Sequence, residues 1–167
     1  LDWAHAAPGP HGEEGQGTAV DQFGNTLIIG SFLTTIDLDP DAVGGELSTN
    51  QEAAFVARYD PSGDLSIAFA VHASQAIYPT SISFIGNGGF LVAGTFAGLG
   101  RFDPDDPNAF VSGAGFGDAF IAAYDQLGAL IWVKVIGGAG QDVVTDIAVD
   151  SNDAIYWCGN YQGTVTV

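Results

Sequence analysis

The chain contains a repeat of about 65 residues, and this period limits the folds it can adopt. AVDQFGNTLIIGSF (19–32) returns as SFIGNGGFLVAGTF (83–96) and as AVDSNDAIYWCGNY (148–161). In each copy two apolar segments flank a turn, and the second segment closes on a glycine, which is Gly30, Gly94 or Gly159. A chain with such a period stacks one supersecondary unit repeatedly.

The second half of the unit repeats as well. AAFVARYDPSGDLSIAFAV (53–71) aligns with DAFIAAYDQLGALIWVKVI (118–136), although Ala53 stands where Asp118 stands later. The pattern predicts four strands in the first unit, A to D, over 17–21, 26–32, 54–59 and 65–71. The segments DQFGN and DPSGD have the Asp, Gly and Asn chemistry of tight antiparallel turns, so A/B and C/D are predicted to be hairpins.

Strand C is apolar or small on both faces, which indicates burial from both sides. Together with the repeat, this predicts an all-β fold of sheets stacked face to face around an axis, a segment of a β-propeller with four-stranded antiparallel blades. A β-sandwich is the alternative, but it gives no reason for the period. One D strand, two complete sets and a final A and B make eleven strands, too few for a ring of about four to eight blades.

The predicted organisation therefore has four parts. Residues 1–16 form the last strand of a preceding blade and an inter-blade loop, 17–76 and 77–141 are complete blades, and 142–167 are the first two strands of another. The chain has no Met and opens within a repeat, so we expect its natural start to lie upstream.

The residues also resemble a known family. VDxxGN, a strand ending in GxF, a DxDP loop, DAFIAAYD and IWVKVIGGAGQD together resemble the bacterial SBBP (seven-bladed β-propeller) repeat. The resemblance covers nearly the whole chain. It implies a large secreted or cell-surface bacterial protein, in which assigned catalysis is uncommon.

The charge is strongly negative, with 3 basic and 20 acidic residues and a net charge of −17. Such a surface repels nucleic acid and anionic membranes and attracts cations or basic partners; adaptation to salt or a need for solubility is the alternative explanation. No apolar run approaches the ~20 residues of a membrane span. The single cysteine, Cys158, aligns with Ile29 and Ala93, which predicts a small core residue.

The B/C loops, 33–52 and 97–117, are the main candidates for a site. Calcium takes six to eight oxygen ligands, which acidic loops can partly supply. The alternative is an Asp-Pro turn in which the carboxylates bond backbone amides. The candidate calcium ligands are Asp37, Asp39, Asp41, Asp103, Asp105 and Asp106.

Two further clusters have simpler interpretations. His5, His11, Glu13 and Glu14 offer ligands to a transition metal, but no histidine recurs at these positions in the other units, which favours a solvated turn. The string Gly113, Gly115, Gly117 precedes a predicted strand and not a helix, so it is interpreted as a flexible approach to strand C and not as a phosphate loop.

Three classes of function remain. The first is a non-catalytic scaffold that presents its B/C loops to a protein or glycan partner outside the cell. The second is a structural subunit of a surface assembly, with neighbouring copies as partners. The third is part of a propeller enzyme, a glycosidase or a quinone-dependent dehydrogenase, with its active site in other blades. No cofactor is predicted apart from calcium, and the first class is favoured.

Overall fold

The computed structural model describes residues 3–164, and within this range all regular structure is β-strand. No helix in this range could span a membrane. The strands are β1 (Glu14–Val20), β2 (Thr26–Phe32), β3 (Thr35–Asp37), β4 (Glu46–Ser48), β5 (Ala53–Tyr59), β6 (Leu65–Ala73), β7 (Ala76–Phe84), β8 (Phe90–Ala97), β9 (Leu99–Arg101), β10 (Val111–Ser112), β11 (Asp118–Tyr124), β12 (Leu130–Ile136), β13 (Val143–Val149) and β14 (Ile155–Asn160).

Three antiparallel sheets follow the repeat. The first runs in the order β1-β2-β5-β6, with β9 and β10 added beyond β6, and the second in the order β12-β11-β8-β7. The third consists of β13 and β14. The predicted A/B and C/D hairpins are confirmed, and strand B has the predicted bounds.

The turn chemistry is also as predicted. In the C/D turn of the first unit, the Asp60 carboxylate accepts hydrogen bonds from the amides of Ser62 (2.8 Å) and Asp64 (3.0 Å), while Gly63 has a φ of +93°. Asp125 receives the same pair of bonds from Leu127 and Ala129 in the next unit. The Asp therefore fixes the turn locally, before any packing is considered.

The sheets pack face to face and bury both faces of their central strands. One apolar cluster joins the first sheet to the second, with Ile29 and Val56 on one side and Val92 and Tyr124 on the other. A second cluster joins the opposite face of the second sheet to β13, through Ile121 and Ile147. Every residue of β11 is buried, as the sequence predicts for strand C.

The repeated glycine of strand B is explained by a bulge in strand A. The register of β1 against β2 shifts between Gly15 and Gly17, and the other two A/B pairs shift at the equivalent place. A Cβ on Gly30 or Gly94 would lie 2.1 or 2.2 Å from a carbonyl oxygen of the neighbouring strand, and one on Gly159 would lie 2.0 Å away. Only glycine permits this approach.

Two expectations on the strands are wrong. The described part has fourteen strands, not eleven, because each B/C loop holds a short antiparallel pair, β3 with β4 and β9 with β10. The strand D predicted at the start does not form within residues 3–13, and its first two residues lie outside the described range. A strand needs a neighbouring strand to pair with, parallel or antiparallel, and residues 3–13 pair with none in the described range. Trp3 packs instead on Tyr59, with ring centroids 5.5 Å apart.

Candidate functional site

The two acidic loops occupy equivalent places, as the sequence predicts. The Tyr59 hydroxyl donates to the carbonyl of Leu38 (2.7 Å), and the Tyr124 hydroxyl donates to that of Phe102 (2.8 Å). Each bond anchors the residue that precedes the DP dipeptide. Burial, followed by the negative charges of Asp39 and Asp37, raises the pKa of Tyr59; burial, followed by Asp103, raises that of Tyr124.

Three of the six candidate calcium ligands, Asp37, Asp103 and Asp106, accept hydrogen bonds from nearby backbone amides. Asp37 accepts the amide of Asp39 (3.1 Å), and Asp103 accepts those of Asp105 (2.9 Å) and Asp106 (3.3 Å). Asp41, Asp105 and Asp106 are exposed. Among residues 3–164 no group of three or more His, Cys, Asp or Glu side chains is placed to hold a metal ion. The Asp-Pro turn accounts for these contacts, and calcium stays a prediction.

The two long loops meet at an open cleft of about 590 Å³. The first loop contributes residues 48–51 and the second contributes Leu99, Arg101 and Phe110, and residues 72–74 at the end of β6 complete the lining. The B/C loops were predicted as the contact surface, and here they lie side by side. No sequence pattern indicated the cleft between them.

The lining of the cleft is unusual for so acidic a chain. It includes Arg101 and His72 but no Asp or Glu. The two residues are Cα partners across the β6/β9 pair, so their side chains are neighbours. Burial, with a smaller contribution from the Arg101 charge, lowers the pKa of the His72 imidazole. The cleft therefore presents one positively charged group, Arg101, and no lining carboxylate on a chain of net charge −17.

The cleft lies where the first unit meets the second, and we call Ala53, His72 and Ile77 the first junction. The residues 65 positions later, Asp118, Gly137 and Asp142, form the second junction. Asp118 is 0% exposed and Asp142 is 1% exposed. The first junction thus has two apolar residues where the second has two buried carboxylates.

The glycine string of the second loop has a structural task that the sequence interpretation missed. The amides of Ala114 (2.8 Å) and Gly115 (3.2 Å) both donate to Oδ2 of Asp118, so this stretch is a cradle for a carboxylate and not a flexible approach. The Oδ1 atom of Asp118 is buried without a hydrogen-bond partner. The sequence contained one signal of this role, because Asp118 of the second unit stands at the position that Ala53 occupies in the first.

A second groove, of about 820 Å³, lies at the opposite ends of the strands, between the A/B turns of the three units. Its basic residue is Arg58, which donates to the carbonyls of Gln126 (3.1 Å) and Gly88 (3.4 Å) and lies 5.7 Å from the Phe84 ring centroid. Asp21, Asp150 and Asp153 also line this groove. Its arginine is already occupied by protein groups, so the smaller cleft is the better candidate for a ligand site.

Two carboxylates of this groove are held in turns. Burial is the largest single influence on Asp21 and opposes its ionisation, but hydrogen bonds from the side chain and backbone of Asn25 and from the Phe23 amide, with the charge of Arg58, together outweigh it and lower its pKa. Hydrogen bonds from the backbone amides of Asn152 and Ala154 lower the pKa of Asp150 in the equivalent turn. These groups stabilise turns and lack the raised pKa of a general acid.

Two other expectations are corrected. Cys158 is exposed, because no further strand packs over β14 in the described chain. His5 is half-buried and not part of a solvated turn: its ring stacks on Tyr59 at 5.6 Å and its Nε2 is hydrogen-bonded to the carbonyl of Gly63 (2.8 Å). His11, by contrast, is exposed, as predicted.

No family model matches the chain. Among curated proteins the chain is similar to the Regulatory protein FlaEY of Caulobacter vibrioides, with 25% identity over 133 residues. The aligned region covers 80% of this chain and 14% of that protein, so the chain corresponds to a small part of this relative's length. At this identity the similarity assigns neither a family nor an activity.

Proposed function

We propose that the chain is a non-catalytic binding segment of a β-propeller built from SBBP-like repeats, in a secreted or cell-surface bacterial protein. The convergence of the two B/C loops on one cleft supports this proposal best, because a rigid scaffold that brings variable loops together is a common design for recognition. The face-to-face stacking of equivalent sheets supports the propeller architecture.

The division of labour between strands and loops also supports binding. The core strands β5 and β11 share their pattern of Phe, Ala and Tyr, whereas the loops that follow β2 and β8 differ in sequence and in their short strands. Exposed apolar side chains at the cleft, Leu99 at 48% and Phe110 at 57%, offer contact area to a partner. The partner is a protein or a glycan.

The test uses the full-length protein on arrays of glycans and extracellular proteins. A variant with Asn50→Gly and Phe110→Ala changes both loops at exposed cleft residues and is expected to lose the bound ligand while its melting temperature is unchanged. The matched control, Pro61→Ala with Ser62→Ala, alters an exposed turn at the opposite ends of the strands and should bind normally. Unchanged binding by the cleft variant, or no ligand on any array, would refute the proposal.

A further inference from the structure

The proposed function does not specify the chemical class of the ligand. The charge of the cleft indicates which class it favours. Of three basic residues in the chain, one lies in this cleft, next to a histidine and with no lining carboxylate, although the chain has 20 acidic residues. Carboxylates that lie more than about 8 Å from the cleft are largely screened at physiological ionic strength. A ligand in contact with Arg101 therefore meets a positive group first.

The position of His72 adds a second argument. The equivalent residue in the second junction is Gly137, where an added Cβ would lie 1.9 Å from Oδ1 of Asp118. Ala53 replaces that aspartate in the first junction, and this opens space for a side chain. The imidazole of His72 then lies beside Arg101 across adjacent strands. Because burial and the Arg101 charge lower the pKa of His72, the guanidinium carries the positive charge of this pair and is the group that an anion would contact.

The remaining lining resembles a saccharide site more than a peptide site. The Asn50 side chain suits sugar hydroxyls, and the exposed Phe110 ring offers a flat apolar face. The Nε2 of Gln51 donates to the Ala73 carbonyl and the Oγ of Ser74 accepts the Leu99 amide (2.9 Å), which leaves the Gln51 oxygen and the Ser74 hydroxyl hydrogen for a ligand. Part of the local backbone is already paired, since the Ser74 amide donates to the Leu99 carbonyl (2.9 Å) and the Gly113 amide donates to the Gly98 carbonyl (2.9 Å). The edge strand of this sheet, β10, has only two residues, which is a short template for a peptide that adds a strand.

We propose that this cleft binds an acidic saccharide, with the guanidinium of Arg101 on a sugar carboxylate and the ring of Phe110 against a sugar face. The volume of about 590 Å³ fits such a ligand, because small-molecule sites usually measure about 300–1,000 Å³. Arginine suits a carboxylate because its planar fork makes two parallel hydrogen bonds. This inference rests on the proposed binding function.

The experiment is calorimetric titration of the full-length protein with a short oligogalacturonate, with its methyl ester as the neutral probe and an oligoglutamate as the acidic peptide. The wild-type protein is expected to prefer the free acid over both other probes by at least tenfold. Arg101→Gln should abolish the preference over the ester, and Arg101→Lys should retain part of it. Phe110→Ala should weaken both saccharides alike.

The matched control is Arg58→Gln, which removes a basic residue from the other groove and should leave the affinity unchanged. Melting curves establish that each variant is folded. Equal affinity for acid and ester, full affinity in Arg101→Gln, tighter binding of the oligoglutamate, or no binding of the oligogalacturonate overturns the inference. The proposed binding function can survive such a result. It does so if the arrays detect a ligand that the Asn50→Gly and Phe110→Ala variant no longer binds.

Discussion

The first and second junctions occupy the same place in the repeat but are built differently. In the second, the buried Asp118 carboxylate receives two backbone amides, and its other oxygen lies where a Cβ of residue 137 would be. In the first, Ala53 has no carboxylate, so neither the pair of amide donors nor a glycine at the position of Gly137 is needed. His72 occupies that position instead. Asp118 is thus compatible with a glycine at position 137, and Ala53 is compatible with the larger His72 at the equivalent position.

The difference extends to the third residue and to the surrounding chain. Asp142 accepts the amides of Gly138 (2.9 Å) and Gln162 (3.0 Å), and its own amide donates to Gly117 (2.8 Å), which ties the loop before β11 to the loop before β13. The buried Ile77 supports no such network. There β6 continues to Ala73 and pairs with β9, which places His72 beside Arg101. One junction is closed by polar contacts, and the other holds a cleft.

The largest expected effect comes from placing the second junction's aspartate in the first. Ala53 is 0% exposed, and Ala53→Asp would bury a carboxylate without its cradle of amides. We expect a loss of about 3 kcal/mol or more in the free energy of unfolding, measured by denaturant titration. Ala42→Asp, at an exposed position of the loop that precedes β5, is the matched control and should change the free energy of unfolding by less than about 0.5 kcal/mol. A similarly small loss at Ala53 would show that the cradle is unnecessary.

An intermediate effect is expected from Gly137→Ala, because the new methyl group meets the Asp118 carboxylate. Overpacking of this kind costs about 1–3 kcal/mol. Asp118→Ala also destabilises, since it leaves two amides unpaired, but the double variant should lose less than the sum of the single losses, by about 1 kcal/mol. His72→Ala is the matched change in the first junction, where no carboxylate opposes the side chain. Additive losses would contradict the dependence of the glycine on the aspartate.

The regular part of the fold was predictable because its signals are local. Asp60 and Gly63 define a turn within five residues, and the alternation in β5 reports burial on both faces without knowledge of the partner sheets. The short strands β3, β4, β9 and β10 gave no such signal. They have two or three residues each, too few to show a period, and they lie in loops whose sequences differ.

The site was predictable only in part, for a different physical reason. The equivalent positions of the two DP segments follow from spacing, and the tyrosine anchors agree with it. To predict the cleft, one would have to compare Ala53, His72 and Ile77 together with their equivalents in the next unit. The first and last of these residues are 24 positions apart, so no local pattern connects them. Arg101 joins them only through the β6/β9 pairing, which no sequence pattern indicated.

The smallest effect on the free energy of unfolding is expected at Tyr59 and Tyr124, the tyrosines that anchor the two loops. Both pKa values are raised in the folded state, so above about pH 10 the unfolded chain loses protons that the native chain keeps, and stability falls as pH rises. Tyr124→Phe and Tyr59→Phe should each cost about 1 kcal/mol at neutral pH through the lost hydrogen bond. Each should also flatten the alkaline decline in melting temperature. The flattening should be larger for Tyr124, which is 0% exposed against 3% for Tyr59. An equal alkaline decline in both variants and the wild type would show that neither hydroxyl resists ionisation in the folded state.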